Sequence, residues 1–337
     1  MRRCVLGGIV LMAMVGCARP RNGLLVPATE QWVWPPPPAA PRVRFVGQIA
    51  GELQSKAEGG RVLREFFFGP EGHPHLVTPY ALAVHSDGNR VAIADPNAGC
   101  VHLLDLQRDQ YSQIAAVAKN GSALESPVGV AWAGDVLCVA DAELRKVVLV
   151  NGERQDDSIG EGELIRPSGV AFNPINGLLY VCDAAAHGIF VFDLDGRLVR
   201  RIGSRGGGPG QFNYPCHIAC EPEGTLVVAD ALNFRVQRFA PDGEFLGHFG
   251  QKGDAGGDFA LPKGVAVDSR GAIWVVDAQF ENVQAFDRDG RLLLVFGREG
   301  REPGEFWLPA GMAIDGQDRM WIADSYNRRV QVFELLP

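Results

Sequence analysis

Apolar residues along this chain fall in short runs closed by turn residues, and no stretch after residue 42 keeps a helical spacing for long. One representative stretch reads Pro262-Lys-Gly-Val-Ala-Val-Asp268, then Gly271-Ala-Ile-Trp-Val-Val-Asp277, then Val283-Gln-Ala-Phe286, then Asp289-Gly-Arg-Leu-Leu-Leu-Val-Phe-Gly297. Runs of this length, alternating or continuously apolar and bounded by Gly, Asp-Gly or Asn, predict short β-strands joined by tight turns. The same order recurs six times. Each copy opens on a proline (Pro79, Pro127, Pro167, Pro215, Pro262, Pro309) and closes its second strand on an aspartate (Asp95, Asp141, Asp183, Asp230, Asp277, Asp324). Six residues after every aspartate stands Val101, Val147, Ile189, Val236, Val283 or Val330.

One four-stranded antiparallel sheet leaves both of its faces exposed, so the copies are expected to pack against one another around a ring. The fold class predicted is all-β, a six-bladed β-propeller with blades starting near residues 79, 127, 167, 215, 262 and 309. Small residues just before each aspartate (Ala94, Ala140, Cys182, Ala229, Val276, Ala323) mark close blade-to-blade contacts, and Cys138 shares the core column of Tyr180, Trp274 and Trp321. The sixth copy runs out after three strands. Its fourth is expected from the other end of the chain, where Arg42-Val-Arg-Phe-Val-Gly47 resembles Leu198-Val-Arg-Arg-Ile-Gly203. Residues 42–49 would then close the ring and remove an open sheet edge. Residues 51–78 read as the loosest stretch, with a short helix around Val62 to Phe68.

The pattern resembles the NHL repeat family. Asp230-Ala-Leu-Asn-Phe-Arg-Val-Gln-Arg-Phe239 and Asp324-Ser-Tyr-Asn-Arg-Arg-Val-Gln-Val-Phe333 carry its D-x-x-N-x-R-V-Q-x-F core, and Gly210-Gln-Phe212, Gly257-Asp-Phe259 and Gly304-Glu-Phe306 its G-x-F. The first two copies depart most, with Ala98 and Leu144 in place of the Asn. The resemblance implies binding of proteins or RNA, an extracytoplasmic sensor, or zinc chemistry of an amidating-lyase branch. A propeller is a scaffold that hosts unrelated sites, so function must be argued from the side chains.

The first residues form a different kind of signal. Arg2 and Arg3 precede the apolar run Val5 to Val15, too short for a bilayer span and suited to a signal peptide. Met14-Val15-Gly16-Cys17 resembles a bacterial lipobox, which implies a signal peptide over 1–16, lipidation of Cys17 and a membrane anchor. Residues 17–41, with Pro35 to Pro38 in a row, read as a stiff Pro-rich tether ahead of the propeller at 42–337. Ala18 after Cys17 is not the Asp of inner-membrane retention, so the outer membrane or cell surface is expected. The net charge of −8, or −10 without residues 1–16, argues against nucleic acid. Five further cysteines show no disulfide framework.

Candidate chemistry concentrates on one face, where the proline-led segments and the second-to-third-strand turns meet. One column there holds Arg145, His187, Phe234, Glu281 and Arg328; another holds Ala81, Gly129, Gly169, His217, Gly264 and Gly311. His replacing Gly in that second column is a local departure from the repeat. His187 follows Asp183 by four, resembling the zinc-binding segment of the lyase branch, and with His217 it forms the tentative metal pair of an alternative reading, a zinc-dependent lyase or hydrolase. No third ligand is evident. The six aspartates read as acceptors for turn N–H groups rather than as a ring for zinc or calcium, since a need repeated in every blade is structural. No catalytic residues and no cofactor are expected. The leading expectation is a monomeric binding platform that holds an exported protein or ligand through Tyr80, Arg145, His187, His217, Lys263, Glu281, Trp307 and Arg328.

Overall fold

The computed structural model describes residues 23–51, 53, 75–115, 123–151 and 154–337. Cys17, the signal segment and the helix expected near Val62 to Phe68 lie outside the described residues.

Among the described residues the strands form six antiparallel sheets. Blade four shows the plan: Pro215–Cys220 lies innermost, followed outward by Leu226–Asp230, Arg235–Phe239 and Phe245–Phe249. Blades one, two, three and five follow the same order from Ala81–Val84, Pro127–Ala133, Pro167–Asn173 and Pro262–Val267. The innermost strands touch their neighbours all the way round, and Met312–Ile314 of blade six meets Ala81–Val84 of blade one. The chain is an all-β six-bladed propeller.

No blade owns a core. The apolar residues divide into six clusters, each lying between two adjacent blades: Phe212, Phe239, Leu226 and Tyr180 between blades three and four, Trp321, Val91, Ile93 and Leu104 between six and one. Ala94, Ala140, Cys182, Ala229, Val276 and Ala323 are all fully buried in these seams, and so is Cys138. The five described cysteines are free. The G-x-F phenylalanines Phe212, Phe259 and Phe306 are also fully buried. Each sits under a glycine of the preceding outer strand's end; a Cβ on Gly250 would meet the Phe259 ring at 2.3 Å, and Gly250 has φ +86°. Only glycine satisfies both conditions.

The ring is closed by the N-terminus. Val43–Ala50 pairs antiparallel with Arg329–Leu335 and supplies the fourth strand of blade six, as its sequence predicts. It even repeats the irregularity of the other outer strands. The register slips by one residue at Val199, Leu246 and Leu293 in blades three to five and at Val46 here. Each slip leaves one residue of the outer strand unpaired, and of these Val199, Leu246 and Leu293 are exposed.

The reading of residues 17–41 as a tether is revised for its described part. Val26–Pro27 and Val33–Trp34 pair with the closing strand, and Ala28 N–H donates to Val46 C=O. Trp34 packs on Phe296 and Phe333 with ring centroids 5.4 and 5.7 Å away, and Trp32 joins the same cluster between blades five and six. The Pro-rich segment therefore covers the outer edge of the closing blade. Packing two half-buried tryptophans against this cluster outweighs the extended conformation that a proline run favours when free. Trp34→Ala should lower unfolding stability by ~2–3 kcal/mol in denaturant melts, because it opens a void against Phe296 and Phe333. An unchanged midpoint would mean that the segment does not pack there.

Candidate functional site

The aspartate column organises the face on which the predicted site residues stand. All six carboxylates are fully buried. In blade two, Asp141 accepts the N–H groups of Glu125 and Ser126, the two residues before Pro127, and those of Glu143 and Leu144 in the turn that follows it. Asp183 and Asp277 do the same with Ile165, Arg166, Ala185 and Ala186, and with Ala260, Leu261, Gln279 and Phe280. One side chain thus ties the lead-in of its blade to the turn between the second and third strands. The acceptor role predicted from the repeat holds, and it extends to the lead-in as well.

Blades four and six use a different arrangement, and the NHL-like core explains it. Asp230 Oδ2 accepts from Asn233, Arg235 and Gln237, and the Arg235 guanidinium continues to the carbonyls of Gly207, Gly208 and Gln211 in the incoming connector. Asn327, Arg329 and Gln331 repeat this around Asp324. With that oxygen occupied, Asp230 and Asp324 each take only the first lead-in N–H, from Asn213 and Trp307. The second lead-in residues, Tyr214 and Leu308, adopt left-handed conformations with φ 64° and 47°. Their N–H groups find acceptors on the preceding blade: His187 Nδ1 at 3.3 Å and Glu281 Oε1 at 3.3 Å. These two predicted site residues are thus interblade links.

Blade one departs again. His102 stands seven residues after Asp95, in the column of Gln237 and Gln331, and its ring lies 3.4 Å from Asp95, 2.8 Å from the Tyr111 hydroxyl and 3.6 Å from Cys100 Sγ. The group resembles a thiol–imidazole pair, but His102 and Cys100 are almost wholly buried, and burial pushes the thiol up to about 11. A protonated, enclosed thiol is inert.

The column Arg145, His187, Phe234, Glu281 and Arg328 sits at the left-handed position of the second-to-third-strand turn, with φ between 53° and 58°; blade one has Gly99 there at 62°. Left-handed backbone costs a non-glycine residue ~1–2 kcal/mol. Five side chains are therefore held on this face at a cost to the fold. His187 and Glu281 offset it with their interblade bonds. Arg328 forms no ion pair among the described residues.

The sequence-predicted residues separate into groups. His217 lies in the innermost strand, where its Nδ1 accepts the N–H of Val265 on the next blade. Burial pulls its pKa down to about 4. His187 and His217 each spend one ring nitrogen on a backbone N–H, and no group of three or more His, Cys, Asp or Glu suited to a metal occurs among the described residues. Tyr80 of blade one and Lys263 of blade five meet, the ammonium 5.0 Å from the ring centre. Trp307 and Arg328 line a pocket of about 370 Å³ at blade six together with Arg301, Tyr326, Asn327 and Arg329. Trp307 and Tyr326 are 38% and 55% exposed, with ring centroids 5.6 Å apart, and the Arg301 guanidinium lies 5.7 Å over Trp307. Arg301 and Tyr326 were not among the predicted residues.

A larger groove of about 560 Å³ opens on the opposite face between blades five and six. Two of its arginines are already engaged: Arg270 pairs with Asp268 and donates to Leu336 C=O, and Arg288 pairs with Glu223. The blade-six pocket is smaller, but its Arg301 and Arg328 have no carboxylate among the described residues.

Similarity to known proteins agrees with this architecture. A family model described as a 6-bladed beta-propeller matches residues 167–249, and the NHL repeat model matches residues 306–333, the pocket-bearing part of blade six. No curated protein matches. Among solved structures, hydrazine synthase of Kuenenia stuttgartiensis is 15% identical with a TM-score of 0.55, over 79% of this chain and 97% of that one. An auxiliary nutrient binding protein from Bacteroides thetaiotaomicron is 14% identical with a TM-score of 0.60, over 77% and 69%. A catalytically inactive virginiamycin B lyase from Staphylococcus aureus, solved with quinupristin, is 14% identical with a TM-score of 0.56, over 77% and 95%. These likenesses define the class, a six-bladed β-propeller. Within it, this chain carries an NHL repeat in its closing blade.

Three expectations follow. Arg328→Gly should raise unfolding stability by ~0.5–1 kcal/mol by relieving left-handed strain. Asp324→Ala should cost ~3–5 kcal/mol, because it leaves the buried Arg329 and several donors unpaired; paired denaturant melts separate the two. Protonation of His217 is disfavoured in the folded state, so the unfolded chain binds the extra proton and stability falls as pH drops from about 6.5 towards about 4. His217→Gln should flatten the upper part of that fall in melts taken between pH 7 and about 5, and an unchanged slope would contradict it.

Proposed function

We propose that this propeller is an exported, lipid-anchored platform that captures another exported protein through the face formed by its lead-ins and second-to-third-strand turns. The observation that carries the reading is the blade-six cluster: two exposed aromatic rings flanked by two arginines without a carboxylate among the described residues. Trp, Tyr and Arg are the residues that dominate protein–protein hot spots, because they combine large apolar area with a polar end. The protein as a whole is acidic, at −8. A local pair of uncompensated guanidiniums on such a surface selects a partner segment that presents carboxylates next to an apolar side chain.

The position of the N-terminal segment supports the same orientation. Leu24 N–H donates to Asp109, which lies in the turn between the third and fourth strands of blade one, on the face opposite the aromatic pocket. Cys17 precedes Gly23 by six residues, so a lipid on its sulfur would stand no more than ~20 Å away along an extended chain. Anchored there, the disc turns its arginine–aromatic face away from the membrane, where an exported partner can reach it.

The test is chemical crosslinking of the tagged protein in native membranes, followed by identification of what is recovered. One stoichiometric partner is expected, its recovery reduced at least about tenfold by Trp307→Ala combined with Tyr326→Ala, since each removes a hot-spot anchor worth ~2 kcal/mol. Undiminished recovery from a double variant with wild-type melting would contradict the assignment of the face.

A further inference from the structure

The residue after each blade-opening proline forms a ring around the axis: Tyr80, Val128, Ser168, Cys216, Lys263 and Ala310. Four of the six leave nothing to offer a ligand. Val128 and Ala310 are apolar. Ser168 Oγ donates to the carbonyls of Cys182 and Pro215. Cys216 Sγ lies 3.6–3.7 Å from the carbonyls of Ala229, Pro262 and Lys263, and burial pushes its thiol up to about 12. It is therefore neutral and spent on the backbone.

Tyr80 and Lys263 remain. They stand on blades one and five, on either side of blade six. There the Lys263 ammonium meets the Tyr80 ring at 5.0 Å. Both side chains are half-buried, and neither the ammonium nor the phenol hydroxyl has a hydrogen-bond acceptor or carboxylate among the described residues. The lack of a counter-charge is not a matter of composition, since the chain has 40 acidic residues against 32 basic ones. An aromatic ring face compensates a half-buried ammonium only in part, whereas a carboxylate in hydrogen-bond contact does so fully. The ammonium can only donate, and the phenol hydroxyl can donate as well.

We propose that the axial mouth binds a single carboxylate, held by the Lys263 ammonium and the Tyr80 hydroxyl. One fixed positive charge and one neutral donor suit a monoanion with two acceptor oxygens better than a phosphate dianion. Arg166 of blade three is directed to Glu143 at 3.8 Å. The site is separate from the blade-six aromatic pocket and does not depend on the platform reading. A free small acid and a carboxylate carried by a docked protein share this chemistry.

Calorimetric titration of the purified protein with sodium acetate, with sodium phosphate at equal ionic strength as the comparison, tests the proposal. Saturable one-site acetate binding is expected, weakened on the order of tenfold or more by Lys263→Met and several-fold by Tyr80→Phe. Trp307→Ala should leave it unchanged, and melting curves check that each variant is folded. Acetate that does not bind the wild type, or binds folded Lys263→Met equally well, overturns the proposal. So does phosphate binding more tightly than acetate. Once acetate binding is established, competition between acetate and crosslinked partner identifies the partner as the source of the carboxylate, and its absence identifies a free acid.

Discussion

A buried carboxylate at the end of each blade's second strand is the interaction on which this molecule depends. Burying six aspartates is costly unless every lone pair is used, and here each one takes donors from both its lead-in and its following turn. In blades one, two, three and five these are backbone N–H groups at both ends. In blades four and six they are one lead-in N–H and the Asn, Arg and Gln side chains. This bond fixes where a blade begins relative to its own turn. It therefore fixes the height at which the lead-in meets the axis and the direction in which the turn presents its left-handed residue. The seam clusters supply most of the apolar stabilisation, but they are non-directional; the aspartates set the register in which the seams form.

Variation around that constraint generates the functional surface. In blades four and six the arginine of the NHL-like core takes one carboxylate oxygen, one lead-in N–H turns away, and a side chain of the preceding blade receives it. The consequence at blade six is local. Leu308 turns to face Glu281, while Trp307 keeps its N–H on Asp324 with its ring on the surface beside Tyr326. The same hydrogen-bond exchange that links blade five to blade six also frames the arginine–aromatic pocket.

Much of this was legible in the sequence because a repeat states each position six times. The strand order, the aspartate column and the closing strand all came from register alone, and the resemblance between residues 42–47 and 198–203 extends to a shared bulge. What was not legible lacks repetition or depends on a backbone flip. The segment before residue 42 occurs once, and its proline run favours extension, so nothing local signals that Trp34 reaches the seam between blades five and six. His187 and Glu281 were placed on the correct face, but their role follows from left-handed Tyr214 and Leu308, which no pattern of residue types announces. Tyr326 and Arg301 have a weaker excuse. An aromatic two residues after the blade-six aspartate, where the other copies carry Asn97, Glu143, Ala185, Leu232 and Gln279, is a departure that register comparison exposes.

The most direct measurement of the central claim is site-specific photocrosslinking in intact membranes, with the reactive side chain placed at Tyr326 on the arginine–aromatic face or at Arg288 in the groove on the opposite face. The account predicts a discrete protein adduct from position 326 and none of comparable yield from position 288. An adduct formed from 288 alone would contradict it, and would move the binding surface to the opposite face.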